Sequence, residues 1–188
     1  MLDNLINLVR EQAGDAVINN PTVPNDRNEE VIAATGESMA GGLQNILASG
    51  GLKDVLKLFG GQDQATAGNP VVQNLSGGVI QQLMNKFGFD QQSANGIAGN
   101  LVPDVLQKLV SKTNDPNDSS FDIQGIFNQL SGGKSQSINI QGLLGKVTQG
   151  GLDKDGDGDT DLQDVMAMFS GGGQGGNLLD SVKGLFSR

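Results

Sequence analysis

The chain contains no cysteine, no histidine, no tryptophan and no tyrosine. Without cysteine there are no disulfides, no thiol nucleophiles and no thiolate metal sites. Without histidine there is no imidazole base, and ordinary zinc or haem ligation is excluded. Basic residues are scarce as well. Twelve Lys and Arg stand against 21 Asp and Glu, for a net charge of −9. No local Lys/Arg cluster offsets that charge, which opposes binding to nucleic acid phosphates. Long apolar runs are also missing, and no stretch approaches the roughly 18–20 apolar residues of a membrane span. The N-terminal MLDNLINLVREQ carries an acid at Asp3 and spaced apolar residues. It lacks the basic start and continuous apolar run of a signal peptide. The expectation is a soluble, acidic, cytoplasmic protein with no nucleic acid partner. Export by a route without a recognisable signal peptide is the alternative.

What remains is aliphatic and flexible. Hydrophobic residues make up 36% of the 188 and aromatics only 4%, so the core is built from Leu, Ile, Val, Met and seven Phe. Glycine is abundant at 29 residues, with five prolines. Together they stay below the share, roughly 25–30%, that marks low-complexity disorder. The composition implies folded helices with glycine-rich joints.

Helical spacing dominates, and no run shows clean period-two alternation. The pattern predicts a helix over Leu2–Gln12, then a Pro- and Asn-rich turn from Asn19 to Asn25. Asn25 or Asp26 can cap a helix reaching about Ser49, weakened at Gly36 and at Gly41-Gly42. Gly50-Gly51 stops it, and Leu52–Phe59 follows with apolar Leu52, Val55, Leu56, Leu58 and Phe59. Asn69-Pro70 reads as a cap followed by a first-turn proline, opening a helix to about Phe87. Asp90 caps the next helix. A separate one is expected over Leu101–Ser111, because Pro103 is tolerated only in a first turn. The stretch Thr113–Ser120 is a polar loop. The fold class expected is therefore all-α, a multi-helical bundle of short amphipathic helices.

Short echoes recur along the chain. LQNIL (43–47) matches LQKLV (106–110), FDIQGIFNQLS (121–131) matches INIQGLLGKVT (138–148), and LKDVLKLFGG (52–61) matches LQDVMAMFSG (162–171). They lack the constant period of a solenoid. Duplication and the general likeness of Leu-rich, glycine-bounded helices both account for them.

The most specific motif is LDKDGDGDTDLQDV. Counting from Asp153, carboxylates fall at positions 1, 3, 5, 7, 9 and 12, with Gly158 at position 6. A hard divalent cation needs six to eight oxygens at short range. Asp153, Asp155 and Asp157 offer side-chain carboxylates, and Asp159 offers its backbone carbonyl. Asp161 reaches the ion directly or through water, and Asp164 closes the shell from the first turn of a helix over Leu162–Phe169. Gly158 permits the sharp turn. The loop resembles the calcium loop of EF-hand proteins, and Asp at the last position resembles the dockerin-type variant. Asp164 is shorter than the usual Glu, which implies modest affinity. Thr160 stands where EF-hands place an apolar residue that pairs with a second loop, and no second Asp loop exists. A lone Ca2+ site is expected. An acidic solubilising linker is the competing reading, and Mg2+ fits less well because it retains waters in strict octahedral geometry.

Other motifs are weaker. GGKS (132–135) lacks the glycine that a phosphate loop needs, since Asn128 stands there. Glu29-Glu30 reads as a solvated helix start favoured by the macrodipole. With no recognisable acid–base partner for its Ser and Asp residues, the chain is not expected to be an enzyme. A bound ion acting as Lewis acid would need an open coordination position, and six Asp ligands leave little room for one. After the glycine-rich Ser170–Gly176, NLLDSVKGLFSR places Leu178, Leu179, Val182, Leu185 and Phe186 on one face. This tail either docks on the core or engages a partner subunit. Lys183 and Arg188 are too little charge for secure membrane attachment.

Lys86–Val110 (KFGFDQQSANGIAGNLVPDVLQKLV) is similar to the YidB family, bacterial proteins of the domain-of-unknown-function class DUF937. The matching pieces are Phe87-Gly88-Phe89-Asp90, Ala94, Ile97-Ala98 and Leu101-Val102-Pro103, with GGLKDVLKLF as a further match. The resemblance covers about Leu2 to Leu130 and implies an all-helical fold without implying an activity. Three regions follow from this reading: a YidB-like helical domain over 1–133, a calcium-loop module over 134–172, and a glycine-tethered helix over 173–188. The expected role is a non-enzymatic calcium-binding structural or self-assembly protein, acting as a homo-oligomer or with a protein partner through the tail. A calcium sensor that exposes an apolar surface is the alternative, disfavoured by the single loop.

Overall fold

The computed structural model describes residues 2–115, 117–118, 121–130 and 139–148. Among these residues every regular element is helical. The α-helices are α1 (Leu2–Gln12), α2 (Asn28–Ala48), α3 (Leu52–Phe59), α4 (Pro70–Phe87), α5 (Gln91–Thr113), α6 (Ile123–Leu130) and α7 (Ile140–Thr148). A π-helical turn over Gly14–Ile18 and a 3-10 turn over Asn25–Arg27 lie between α1 and α2. The all-α expectation holds. The chain forms two compact units that interleave in sequence. One comprises the described residues up to Gln44 and from Gln64 to Phe121; the other comprises Asn45–Asp63 with the described residues of 122–148.

In the first unit α5 is the hub, packing against α4, α1 and the π-helical turn. The reason is its stripe: Ala94, Ile97, Ala98, Leu101, Val102, Val105, Leu106 and Leu109 are all buried at helical spacing. Val71, Val72, Leu75, Val79 and Leu83 of α4 are likewise buried, as are Leu5, Leu8 and Val9 of α1. The two long helices meet at an elbow set by local chemistry. Gly88 adopts the left-handed conformation (φ 71°) that closes α4. Asp90 then opens α5, its carboxylate accepting from the Ser93 N–H at 2.9 Å and the Ser93 hydroxyl at 2.8 Å. The rings of Phe87 and Phe89 stack across the elbow at 6.0 Å. Arg27 lies over Phe87 at 4.7 Å, tying the segment before α2 to the elbow.

The expected break before Leu101 does not occur, and α5 runs unbroken from Gln91 to Thr113 with Pro103 inside it. A mid-helix proline costs about 3 kcal/mol. Val105, Leu106 and Leu109, all beyond the proline, are buried on the same stripe. Their burial contributes roughly 1.5–3 kcal/mol each, so continuing the helix wins. Residue i−4 of the proline is Gly99, and Gly99 and Pro103 both line an open depression at the surface of the helix.

Glycine also fails to interrupt α2. Gly36 is buried where α1 crosses, and a Cβ there would sit 2.8 Å from Ile6 Cγ1 and 3.2 Å from its Cα. A Cβ on Gly42 would meet the end of the Leu75 side chain, whereas one on Gly41 would meet nothing. The chain reaches α2 later than expected, because Asn25–Arg27 forms a separate 3-10 turn.

In the second unit α3 and α6 both pack on α7. Val55, Leu56, Leu58 and Phe59 of α3 are buried, as are Ile123, Ile126, Phe127 and Leu130 of α6 and Ile140 and Leu143 of α7. Glycine pairs stop the flanking chain. Gly50 (φ 90°) and Gly61 (φ 72°) are left-handed. Gly50 and Gly51 donate to Leu47 and Ile46, and Gly61 and Gln62 donate to Leu58 and Lys57, a double closure at each end.

The glycines of α2 make an ordered prediction. Gly36→Ala should lower stability by about 1–3 kcal/mol, because the α1 backbone must move. Gly42→Ala should lose less, since a Leu75 rotamer change relieves it, and Gly41→Ala should gain up to about 1 kcal/mol. Urea titrations of the three variants give the order directly.

Candidate metal loop

Asp153, Asp155, Asp157, Asp159, Asp161 and Asp164 lie outside the described residues, as do Leu162–Phe169, the GGKS segment and the tail residues Leu178, Leu179, Val182, Leu185 and Phe186. The donor set itself is all carboxylate and carbonyl oxygen, hard and anionic, and fits Ca2+ better than a thiolate- or imidazole-seeking metal. Among the described residues, no group of three or more acidic side chains is placed to hold a metal ion.

The structure does describe the helix that leads toward the loop. Asn139 caps α7, its Oδ1 accepting from the Gly142 N–H at 2.8 Å. Gln124 of α6 accepts from the Ile140 N–H at 3.0 Å, joining the two helix starts across 16 residues of sequence. An unpaired donor of the first turn is thereby satisfied by a neighbouring helix. Ile140 and Leu143 are buried beside this contact, so α7 is held by packing as well as by polar contacts. Sequence periodicity gave no sign of the Gln124 contact. The Asx residue three places before glycine in both DIQG and NIQG was a usable signal for the caps.

Several titratable groups of the first unit have structural partners. Arg10 donates to Glu29 at 2.8 Å, and this hydrogen bond lowers the Glu29 pKa and raises that of Arg10. Both side chains are solvent-accessible, so the pair contributes little to stability. Glu30 pairs with Arg27 at 3.6 Å. The Asp90 carboxyl is held below its ordinary value of 3.8, first by the Ser93 N–H and then by the Ser93 hydroxyl. Two open depressions mark this unit. One of about 390 Å³ lies between α4 and α5 beside Ser76, Gly77, Asn95 and Gly99. The other, of about 450 Å³, follows the Asn- and Pro-rich turn. No titratable side chain lines either one. No described helix is long and apolar enough to cross a membrane.

No protein-family model, curated protein or solved structure matches the chain.

The depressed pKa of Asp90 has a definite sign. A carboxylate stabilised in the fold contributes above its ordinary pKa and stops contributing as pH falls through the depressed one. Asp90→Ala should therefore lower the melting temperature at neutral pH. Its deficit against wild type should shrink as pH drops below 3.8, which thermal melts across that range would show.

Proposed function

We propose that this chain is a non-enzymatic calcium-binding structural or assembly protein, in which Ca2+ fixes the helix pair Ile140–Thr148 and Leu162–Phe169. The observation that carries the reading is the spacing of Asp153, Asp155, Asp157, Asp159, Asp161 and Asp164 with Gly158 at the turn position. The anchoring of α7 supports it. A loop clamp is useful only if one flank is already held, and α7 packs on both α3 and α6. Six carboxylates within twelve residues repel one another, and a divalent ion cancels that repulsion.

The apolar tail residues Leu178, Leu179, Val182, Leu185 and Phe186 suit a homo-oligomeric or protein contact, and cytoplasmic residence is the compartment we assign. A relation to the YidB family is part of the same reading. Support comes from Gly88 and Asp90, two of its motif residues, which here set the elbow between α4 and α5.

Calcium at a hundredfold excess over Kd adds about 2.7 kcal/mol of stability. The melting temperature should therefore rise with Ca2+ and fall back with chelator, and Asp153→Ala with Asp157→Ala should remove the response. A melting curve indifferent to both would sink the proposal. Light scattering with and without Ca2+ reads the oligomeric state in the same samples.

A further inference from the structure

Charge is missing from one side of the first unit. Residues 64–85, which include nearly all of α4, form the longest uncharged run of the chain. Residues 91–103 of α5 carry no charge either. The depression of about 390 Å³ lies where these two runs meet, with Gln73, Ser76, Gly77, Ile80, Asn95 and Gly99 around it. Ile80 is half-buried, and Met84, one helical turn further along the same side of α4, is 37% exposed. A ridge of two apolar side chains thus stands beside a hollow with a neutral polar rim.

Depletion of charge around exposed apolar side chains is the composition of the centre of a protein interface. The overall charge says which partner suits it. At −9 the chain repels its own copies, and that repulsion is least where no charges face one another. A strongly charged partner, by contrast, finds nothing on this face to steer it. The glycines fit a close approach from outside. Among the described residues, no atom beyond their own helix backbone lies within 4 Å of a Cβ placed on Gly77 or Gly99. Glycine is a poor residue for a helix interior, and packing inside the chain does not call for it at these two positions as it does at Gly36.

We propose that the uncharged face of α4 and α5 joins two copies of this chain, the Ile80–Met84 ridge of each filling the hollow of the other about a two-fold axis. Residues 70–85 run about 24 Å, and two helices side by side are about 20 Å across, so each copy offers roughly 500 Å². The pair then buries about 1,000 Å², near the lower limit of a specific interface, which makes the dimer weak and concentration-dependent. The contact rests neither on the apolar tail nor on calcium.

Sedimentation equilibrium of the full-length chain tests the contact. The mass should rise from 19.5 kDa towards twice that value with concentration. A monomer persisting up to about 1 mM would overturn the proposal. Added NaCl should tighten the dimer, because it screens repulsion and no ion pair is lost; weakening by salt counts against it. Gly77→Glu and Gly99→Glu, made singly, should each raise the dissociation constant by about tenfold or more, by burying an unpaired charge. Neither should lower the melting temperature of the dilute monomer, since both sites are open and each loses a helix glycine. Asn95→Asp, almost isosteric, should weaken the dimer in the same direction. Gly41→Glu adds the same charge at an open site on α2 outside the hollow, and should leave the dimer intact. Equal weakening by all these variants would mean general repulsion alone and would reject the face. Leu179→Asp with Phe186→Asp should also leave the dimer intact. Dimer loss there, with the α4 and α5 variants unaffected, would place the contact in the tail: this proposal would fall and the tail reading would stand.

Discussion

The first unit depends on the continuity of the apolar stripe of α5. α1, α4 and the π-helical turn all pack on this helix, so a bend in it would misplace each of them. The stripe extends to both sides of Pro103, with Leu101 and Val102 before it and Val105, Leu106 and Leu109 after it. The missing hydrogen bond at the proline is a fixed cost of a few kcal/mol, while the packing beyond it scales with the apolar area covered. Cooperative packing of three neighbours on one helix therefore overrides a local preference to stop.

Glycine plays two opposed roles around this frame. At Gly50, Gly61 and Gly88 it supplies a left-handed residue where a helix must end. At Gly36 and Gly42 it lies inside a helix and brings Ile6 and Leu75 close. The same residue type thus ends helices in one place and joins them in another. The difference lies in the neighbours, not in the glycine.

Four helix starts of the described chain are closed by a side-chain oxygen. Asn69, Asp90, Asp122 and Asn139 each accept a backbone N–H in a first turn, which satisfies donors that would otherwise be unpaired. The carboxylates among them have a ready donor in the backbone. The crowded aspartates from Asp153 to Asp164 outnumber anything a single helix start could satisfy, and this is the physical ground on which a cation is proposed for them.

The sequence alone determined most helix limits. α1, α3 and α4 begin and end where periodicity, Asn69-Pro70 and the glycine pairs placed them, because these signals act within a few residues. It also determined the oxygen-only character of the Asp loop, since ligand chemistry follows from residue type and spacing. Only the tertiary structure decided that α5 passes through Pro103, that Gly36 and Gly42 are crossing points, and that α3 groups with α6 and α7 across some sixty residues of intervening chain. Those outcomes depend on side chains far apart in sequence, whose packing energy no local pattern contains.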